Sequence, residues 1–288
     1  MATYYCDLDE DYTDQDGSDN AANSYSGVGG LQAAIRGTGN ATALTQTADP
    51  NQDILYLKGT GDLSRLVWMD IDQQVSGGGL NWALGDEVRN DNDGGGAAGD
   101  DWTGTICELD YGTNNDQILV ELDSGYDYGD VNDADGIENT TQANEGNIDD
   151  SACKGLEIDT NEGSIHTGVP IFTIGVNASW TNDGTKAELD GNSYAANCVV
   201  TDDKDGFVFE NIAVHAATGS GFAWTNTASI NRWVFKNCDS YSNLESGWGP
   251  ASGSTKNLLY PIFVGCRSYS NTQDGWTSKI LYGHLAFC

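Results

Sequence analysis

The chain has 288 residues, of which 44 are acidic and 12 are basic, so its formal net charge at pH 7 is −32. A protein this acidic lacks the basic surface that neutralises nucleic-acid phosphates or anionic lipid headgroups, which excludes nucleic acid and anionic membranes as partners. Its 38% apolar residues are enough for a buried core, and no apolar run is long enough for membrane insertion.

The composition also narrows the fold class and the targeting signals. Glycine accounts for 37 residues and proline for only 4, a balance that favours turn-rich β structure. The first five residues include neither a basic nor an apolar segment, so no Sec-type export signal is visible. The seven cysteines contain no Cys-x-x-Cys pair and only three histidines accompany them, so a structural zinc site is not expected.

Residues 1–74 contain three short motifs in a fixed order. Tyr4-Tyr5-Cys6-Asp7 is followed by Asp16-Gly17-Ser18-Asp19-Asn20 and then by Leu31-Gln32-Ala33-Ala34-Ile35. This order is similar to the opening of many extracellular and phage β-helix proteins, and the resemblance implies a first strand, an acidic loop and a short capping helix. The apolar runs 54–57 and 66–69 are interpreted as strands of early coils.

Residues 75–150 differ in composition from the segments on either side. They contain long Gly, Asp and Asn runs, notably over 90–96, and between these runs 102–107 and 118–122 are predicted to be hairpin strands. The pattern of 84–88 followed by 103–106 resembles small β-barrel inserts of phage structural proteins. We therefore expect an inserted small β subdomain over 75–150.

The last segment, residues 151–288, contains an internal repeat. Phe209, Phe235 and Phe263 are 26 and then 28 residues apart, and four further sets keep the same offsets. These sets are Ile212, Cys238 and Cys266; His215, Tyr241 and Tyr269; Gly221, Gly247 and Gly275; and Phe222, Trp248 and Trp276. Each unit holds short β-prone runs separated by Asn and Gly, without room for an ordinary helix. The units are therefore predicted to stack strand on strand around one core, as coils of a right-handed parallel β-helix.

The repeated units resemble the pectate-lyase-like β-helix superfamily, in which an Asn stands at the corner of each coil and like residues stack between coils. Asn211 and Asn237 fit this pattern, whereas Gly265 replaces the corner Asn in the third unit. The expected fold class is all-β: parallel coils over 151–288, an N-terminal cap with the first coils over 1–74, and the inserted subdomain. The resemblance implies a fold and not an activity.

Two rows of the repeat are expected to point into the core. Phe222, Trp248 and Trp276 each follow a glycine at the same place in the coil, where an inward aromatic ladder is favoured over a sugar-stacking platform. Cys238 and Cys266 occupy equivalent inward places in adjacent coils. They are interpreted as buried free thiols, with a disulfide between them as the alternative.

A third row is expected to face solvent. His215, Tyr241 and Tyr269 have the opposite parity to the inward residues of the same strands. Because aromatic and imidazole side chains on an exposed β surface can contact sugars, this row supplies the candidate ligand-binding residues. The alternative is that the row is an ordinary β surface without a ligand.

Calcium is the candidate cofactor. Asp14 and Asp16 precede Gly17, and Asp203 and Asp205 precede Gly206, a spacing found in loops that bind hard cations. A third loop over 91–94 has the same pattern. None of the three completes an EF-hand, so solvated turns that use Asp and Gly for backbone reasons are the alternative.

An acidic cluster is the candidate catalytic site. Asp202, Asp203 and Asp205 precede a coil and could present carboxylates on its outer face, as polysaccharide lyases and glycoside hydrolases of β-helix type do. A lyase would also need a nearby basic residue, and only Lys204 is local. A glycosidase would need two carboxyl groups at a defined separation, which the sequence does not show.

The end of the sequence suggests an interface. Phe287 lies 24 residues after Phe263, where a fourth unit would begin, so the last coil is expected to leave an open strand edge. Such an edge is expected to be covered by further sequence, by a partner subunit or by another copy of the chain.

These observations favour a structural protein of a virion or other extracellular assembly, such as a phage tail fibre, spike or capsid decoration. The expected partners are further copies of the chain, with a homotrimer favoured by analogy, other particle subunits, and surface glycans. The alternatives are a polysaccharide lyase or glycoside hydrolase, and a non-catalytic glycan-binding adhesin.

Overall fold

The computed structural model of the protein describes residues 3–13, 24–36, 54–72, 82–90, 102–111, 116–133, 135–140, 144–158, 171–201, 207–225, 230–231, 233–281 and 283–286. The protein is all-β, as predicted, with 49% strand and 8% helix. None of the helices in the described part of the chain is long and apolar enough to span a membrane.

The first half contains β1 Thr3–Asp7, β2 Tyr25–Ser26, α1 Gly27–Arg36, β3 Ile54–Lys58, β4 Thr60–Asp62, β5 Leu66–Asp72, β6 Glu87–Asn90, β7 Thr103–Tyr111, β8 Asp116–Leu122, β9 Gly136–Asn139, β10 Asn144–Ala152 and β11 Leu156–Ile158. The second half contains β12 Ile171–Gly175, β13 Ala187–Asp190, β14 Val199–Thr201, β15 Phe207–Glu210, β16 Ile212–His215, β17 Phe222–Trp224, β18 Ile230–Asn231, β19 Val234–Lys236, β20 Asp239–Tyr241, β21 Trp248–Pro250, β22 Leu258–Leu259, β23 Ile262–Val264, β24 Arg267–Tyr269, β25 Ile280–Leu281 and β26 His284–Ala286. Two short 3-10 helices span Leu63–Arg65 and Tyr128–Asp130.

Four parallel sheets form what we call the parallel stack. Sheet I has the order β2-β1-β3-β12-β15-β19-β23-β26, sheet II β24-β20-β16-β13-β4, sheet III β11-β14-β17-β21, and sheet IV β18-β22-β25. From β12 onwards the chain visits sheets I, II and III in turn and then returns to sheet I, and from β18 onwards it also passes through sheet IV before each return. Strand pairing joins Phe209 to Phe235 and Phe235 to Phe263, which confirms the register predicted from the 26- and 28-residue offsets.

Aromatic rings stacked from strand to strand fill the core of the parallel stack. Phe235 lies 5.0 Å from Phe263, with the two ring planes 6° apart, and Trp248 lies 5.4 Å from Phe222. Trp276 continues this second row at 5.3 Å from Trp248. The prediction that this row packs inward is confirmed, because Phe222 and Trp248 are fully buried. Such ring pairs stabilise a core beyond the area that they bury.

Cys238 and Cys266 are buried free thiols in this core. Their Sγ atoms donate to the backbone carbonyls of Phe209 and Phe235, each at 3.4 Å. Burial raises the pKa of the Cys238 thiol well above its usual value. A thiol held in this way packs as a small apolar group and reacts slowly.

Three corners between sheets I and II, those between β15 and β16, β19 and β20, and β23 and β24, each contain one residue in the left-handed region. Asn211, Asn237 and Gly265 have φ of 55°, 51° and 63°. Among residues with a side chain, Asn adopts this region most readily, which explains the Asn and Gly at these corners. Asn237 donates from Nδ2 to Oδ1 of Asn211 at 2.7 Å, and Asn211 donates to Oδ1 of Asn182 at 2.8 Å. The corner ladder therefore runs from 182 to 237.

Strands β5 to β10 form a closed six-stranded antiparallel barrel in the order β10-β5-β8-β7-β6-β9. The two predicted hairpin strands pair with each other as β7 and β8. The interpretation of 66–69 as an early coil was wrong, because Leu66–Asp72 is a barrel strand. Val67 and Met69 lie in the barrel core while Leu66 and Trp68 lie in the core of the parallel stack, so β5 is apolar on both faces like a buried parallel strand. The division of the chain at 75 and 150 stays a prediction.

A buried carboxylate joins the barrel to α1. Glu121 on β8 accepts a hydrogen bond from the backbone N–H of Gly29 in the first turn of α1, at 2.6 Å. One of its oxygens lies 3.2 Å from the guanidinium of Arg65. A side chain at position 29 would not fit, because its Cβ would lie 2.8 Å from the Glu121 carboxylate and 3.0 Å from Cys107.

Candidate ligand-binding face

Sheet II presents alternate side chains on its outer face. One outward column follows the pairings Asp190, His215, Tyr241, Tyr269. The column two residues earlier along each strand is Glu188, Ala213, Asp239, Arg267. The residues between the columns, such as Leu189 and Val214, are buried in the core. The structure therefore brings all three sequence-predicted ligand residues together, on the side from which a ligand can approach; we call His215, Tyr241 and Tyr269 the ring row.

The rings of the ring row stack on one another. The centroids of His215 and Tyr241 are 4.7 Å apart with planes 16° apart, and those of Tyr241 and Tyr269 are 4.9 Å apart with planes 2° apart. These distances follow the strand spacing of about 4.8 Å, so one ring covers the face of the next. The middle of the row consequently offers ring edges and hydroxyl groups to a ligand rather than ring faces.

The hydroxyl group of Tyr241 is a hydrogen-bond donor at neutral pH. Burial raises the pKa of Tyr241 to about 12, and the carboxylates of Glu188 and Asp190 act in the same direction as secondary causes. Tyr269, at the sheet edge, is 44% exposed. Both phenols can therefore donate to the oxygens of a polar ligand.

Two carboxylates flank the imidazole of His215. Its Nδ1 lies 3.4 Å from Oδ1 of Asp190, and its Nε2 lies 3.8 Å from Oε2 of Glu188. Nε2 is buried and has no hydrogen-bond partner among the residues that the structure describes. The gap between Nε2 and Glu188 is too long for a direct hydrogen bond.

In the outward column of Glu188, the buried carboxylate of Asp239 binds two cationic side chains. Asp239 accepts from Nε of Arg267 at 3.0 Å and pairs with Nζ of Lys186 at 2.6 Å. Burial raises the pKa of Asp239, but the hydrogen bonds from Arg267 and Lys186 outweigh burial and hold the pKa below its usual value. This arrangement fixes both cationic groups beside the ring row.

A cleft of about 350 Å³ lies next to the ring row. Its walls include Asp9, Lys58, Lys186 and Glu188. Nζ of Lys58 lies 4.7 Å above the ring of Trp180, which positions this lysine. Glu188 lines the cleft and also flanks His215, so the cleft and the ring row form one continuous polar surface, which we call the sheet II face.

The remaining predicted site residues are not located by the structure. Asp14, Asp16, Asp202, Asp203 and Asp205 lie outside the described residues, as do the loop 91–94 and Phe287. Calcium binding and acid catalysis at these positions stay predictions. Among the described residues, no group of three or more His, Cys, Asp or Glu side chains is arranged to hold a metal ion.

Sequence reasoning missed the charged residues of the sheet II face. Asp190 lies 25 residues before His215, close to the repeat length, so extending the repeat one unit towards the N-terminus would have placed Asp190 and Glu188 in the two outward columns. The sequence gives no comparable indication of the cleft, because its walls come from distant parts of the chain.

Comparison of the chain with protein-family models, curated proteins and solved structures finds no match in any of the three. The resemblance to pectate-lyase-like and phage β-helix proteins therefore stays an expectation drawn from the sequence motifs.

Proposed function

We propose that the protein is a non-enzymatic structural component of a virion or other extracellular assembly, built as a right-handed parallel β-helix, and that it binds surface glycans through the sheet II face. Self-association belongs to the same proposal, with three copies favoured by analogy. The observation that carries the glycan-binding function is the stacked ring row with its flanking carboxylates on the outside of a regular sheet.

The parallel pairing supports the β-helical architecture. Three strands of each unit pair with their equivalents in the next unit, in three different sheets. Connections between parallel strands of one sheet are right-handed in about 98% of cases. At the N-terminal side, α1 buries Val28, Leu31 and Ala34 in the core of the parallel stack, which is what a cap over the first coil would do.

The geometry of the ring row suits an extended polysaccharide. The row advances one side chain for each strand along the axis of the stack, at 4.7 and 4.9 Å, comparable with the advance of an extended glycan per sugar. Phenolic hydroxyls can donate to sugar oxygens, and Glu188 and Asp190 can accept from sugar hydroxyls. The net charge of −32 would repel a polyanion, so we propose neutral or amino-sugar glycans as the ligands.

The test is binding of the purified full chain to an array of neutral, cationic and uronic polysaccharides. Changing both Tyr241→Phe and Tyr269→Phe keeps the rings and removes two donors. With about 1 kcal/mol for each lost hydrogen bond, we expect affinity for a bound glycan to fall about tenfold or more.

Tyr194→Phe is the matched control, because Tyr194 is 40% exposed and lies outside the sheet II face. Its affinity should equal that of the wild type. Absence of binding to every class of polysaccharide, or equal affinity of the double variant and the wild type, would overturn the glycan-binding proposal.

A second function, cleavage of the polysaccharide, is favoured by one observation. Glu188 and Asp190 lie on either side of His215, and most glycosidases use a pair of carboxyl groups as their catalytic residues. The same incubations can be assayed for newly released reducing ends. Release that is lost in Glu188→Gln would replace the non-enzymatic proposal, whereas binding without release would support it.

A further inference from the structure

We propose that the outer face of sheet I is a contact surface between copies of this chain. The surface is an apolar stripe that we call the sheet I stripe, formed by Val208, Val234, Ile262 and Val264. This inference rests on the self-association part of the proposed function, for which it names the surface. The sheet I stripe lies on a different sheet from the ring row, so the inference fails independently of the glycan-binding part.

Strand register builds the sheet I stripe. Val208 pairs with Val234 and Val234 pairs with Ile262 on successive strands β15, β19 and β23, so their side chains form one column. The neighbouring Phe209, Phe235 and Phe263 point inward and are buried, which turns the valines and the isoleucine outward.

The sheet I stripe is open to solvent. Ile262 is 40% exposed and Val264 is 37% exposed, while Val208 and Val234 are half-buried by their neighbours. β-Branched side chains in adjacent rows make a continuous apolar surface, and removing such a surface from water favours contact with another apolar surface.

The charge of the stripe indicates what covers it. The charged residues in the adjoining column on β15 and β19 are Glu210 and Lys236, which pair with each other at 2.8 Å, so these two residues add no net charge beside the stripe. Two copies that each carry a net charge of −32 repel one another over most of their surfaces. Contact through a neutral apolar stripe avoids opposed carboxylates, whereas a cationic partner would be drawn to the acidic surfaces instead.

The size of the stripe sets the strength of the contact. Three strands at a spacing of about 4.8 Å give a column only about 10 Å long, so the stripe covers less than the ~800 Å² per partner of a standard stable interface. We therefore expect association that depends on protein concentration. Salt should strengthen it, because salt screens the repulsion between the two acidic copies.

Sedimentation equilibrium of the full chain over a range of concentrations, at low and high salt, tests the proposal. The wild-type mass should rise from one copy towards two or more as concentration increases, and the rise should begin at lower concentration in high salt. In Ile262→Lys, a lysine enters the stripe, and the association constant should fall at least tenfold.

Leu244→Lys is the matched control, because this substitution makes the same change of charge. Leu244 is 57% exposed and lies outside sheet I. The control variant should associate like the wild type. Val234→Lys is a second stripe variant, and circular dichroism confirms that each variant is folded. A wild-type mass of one copy at every concentration, or association of both stripe variants that matches the wild type, would overturn the proposal.

Discussion

At the corner between sheets I and II, the choice between Asn and Gly decides how far the ladder of side-chain amides runs. Asn182, Asn211 and Asn237 are joined by hydrogen bonds of 2.7 and 2.8 Å, and the next corner is Gly265. Gly265 keeps the same left-handed backbone, with φ of 63°, but has no amide to contribute. The corner conformation is thus preserved while one step of the ladder is missing.

Gly265→Asn should extend the ladder and stabilise the protein. A Cβ at this position would meet no other atom nearer than the backbone N of Asn237 at 4.0 Å, so there is room for the side chain. One net hydrogen bond and a smaller entropy of the unfolded chain oppose the strain of a left-handed Asn, which is smaller than that of alanine, and together predict a gain of about 0.5 kcal/mol in the free energy of unfolding. Urea denaturation of the two proteins measures this difference.

Gly265→Ala serves as the control, because alanine adds a Cβ without an amide. The left-handed backbone costs alanine about 1 kcal/mol, so this variant should be less stable than the wild type. If Gly265→Asn were no more stable than Gly265→Ala, the amide ladder would contribute nothing at this corner.

The sequence predicted which side chains of the repeat face the core, but not all of the contacts that they make. The parity of His215 and Tyr241 placed them outside the core, and the repeat placed Trp248 inside it, since side chains alternate along a strand. The ion pair between Asp239 and Lys186 could not be predicted, because Lys186 comes from a loop before β13 and no repeat links the two.

Among the elements, β8 and α1 are joined by a group that titrates near neutral pH. Burial raises the pKa of Glu121 to about 8, against the opposing effects of Arg65 and the backbone N–H of Gly29. Because the pKa in the folded protein lies above that in the unfolded chain, the protonated carboxyl stabilises the fold. This contribution is complete below the unfolded pKa of about 4.5 and is lost as pH rises through about 8.

Glu121→Gln should remove this pH dependence. The amide cannot ionise, so the variant's free energy of unfolding should fall less than that of the wild type between pH 4.5 and pH 8. Urea denaturation at several pH values measures both slopes. Glu138→Gln is the control, because Glu138 is in the same barrel but pairs with Arg89 near the surface. Equal slopes for Glu121→Gln and the wild type would mean that Glu121 is already ionised in the fold.

The sequence predicted β8 as a strand and could not predict this role of Glu121. Ile118, Val120 and Leu122 form one apolar face and point into the barrel, whereas Leu119 and Glu121 share the other face, whose mixed character does not show whether it is covered. In the structure that face is covered by α1, which is distant in sequence. Alternation shows which face is apolar but not whether a second element covers the other one.

At the scale of the whole molecule, most of what the sequence predicted about the fold came from the internal repeat. Five sets of residues at the same offsets were enough to predict parallel pairing and an inward ring ladder, because a unit of this length can bury its apolar face only against its neighbours. The barrel strand Leu66–Asp72 was misassigned, because a strand with two buried faces has no polar alternation to distinguish it from a coil strand.

As a whole molecule, the chain is proposed to be a structural component of an extracellular or virion assembly. We would test this first by electron microscopy of the protein purified from its source without denaturation, together with its native mass. We predict that the protein is found within a particle, filament or surface assembly that contains several copies of the chain. A free single chain that belongs to no assembly would contradict the claim.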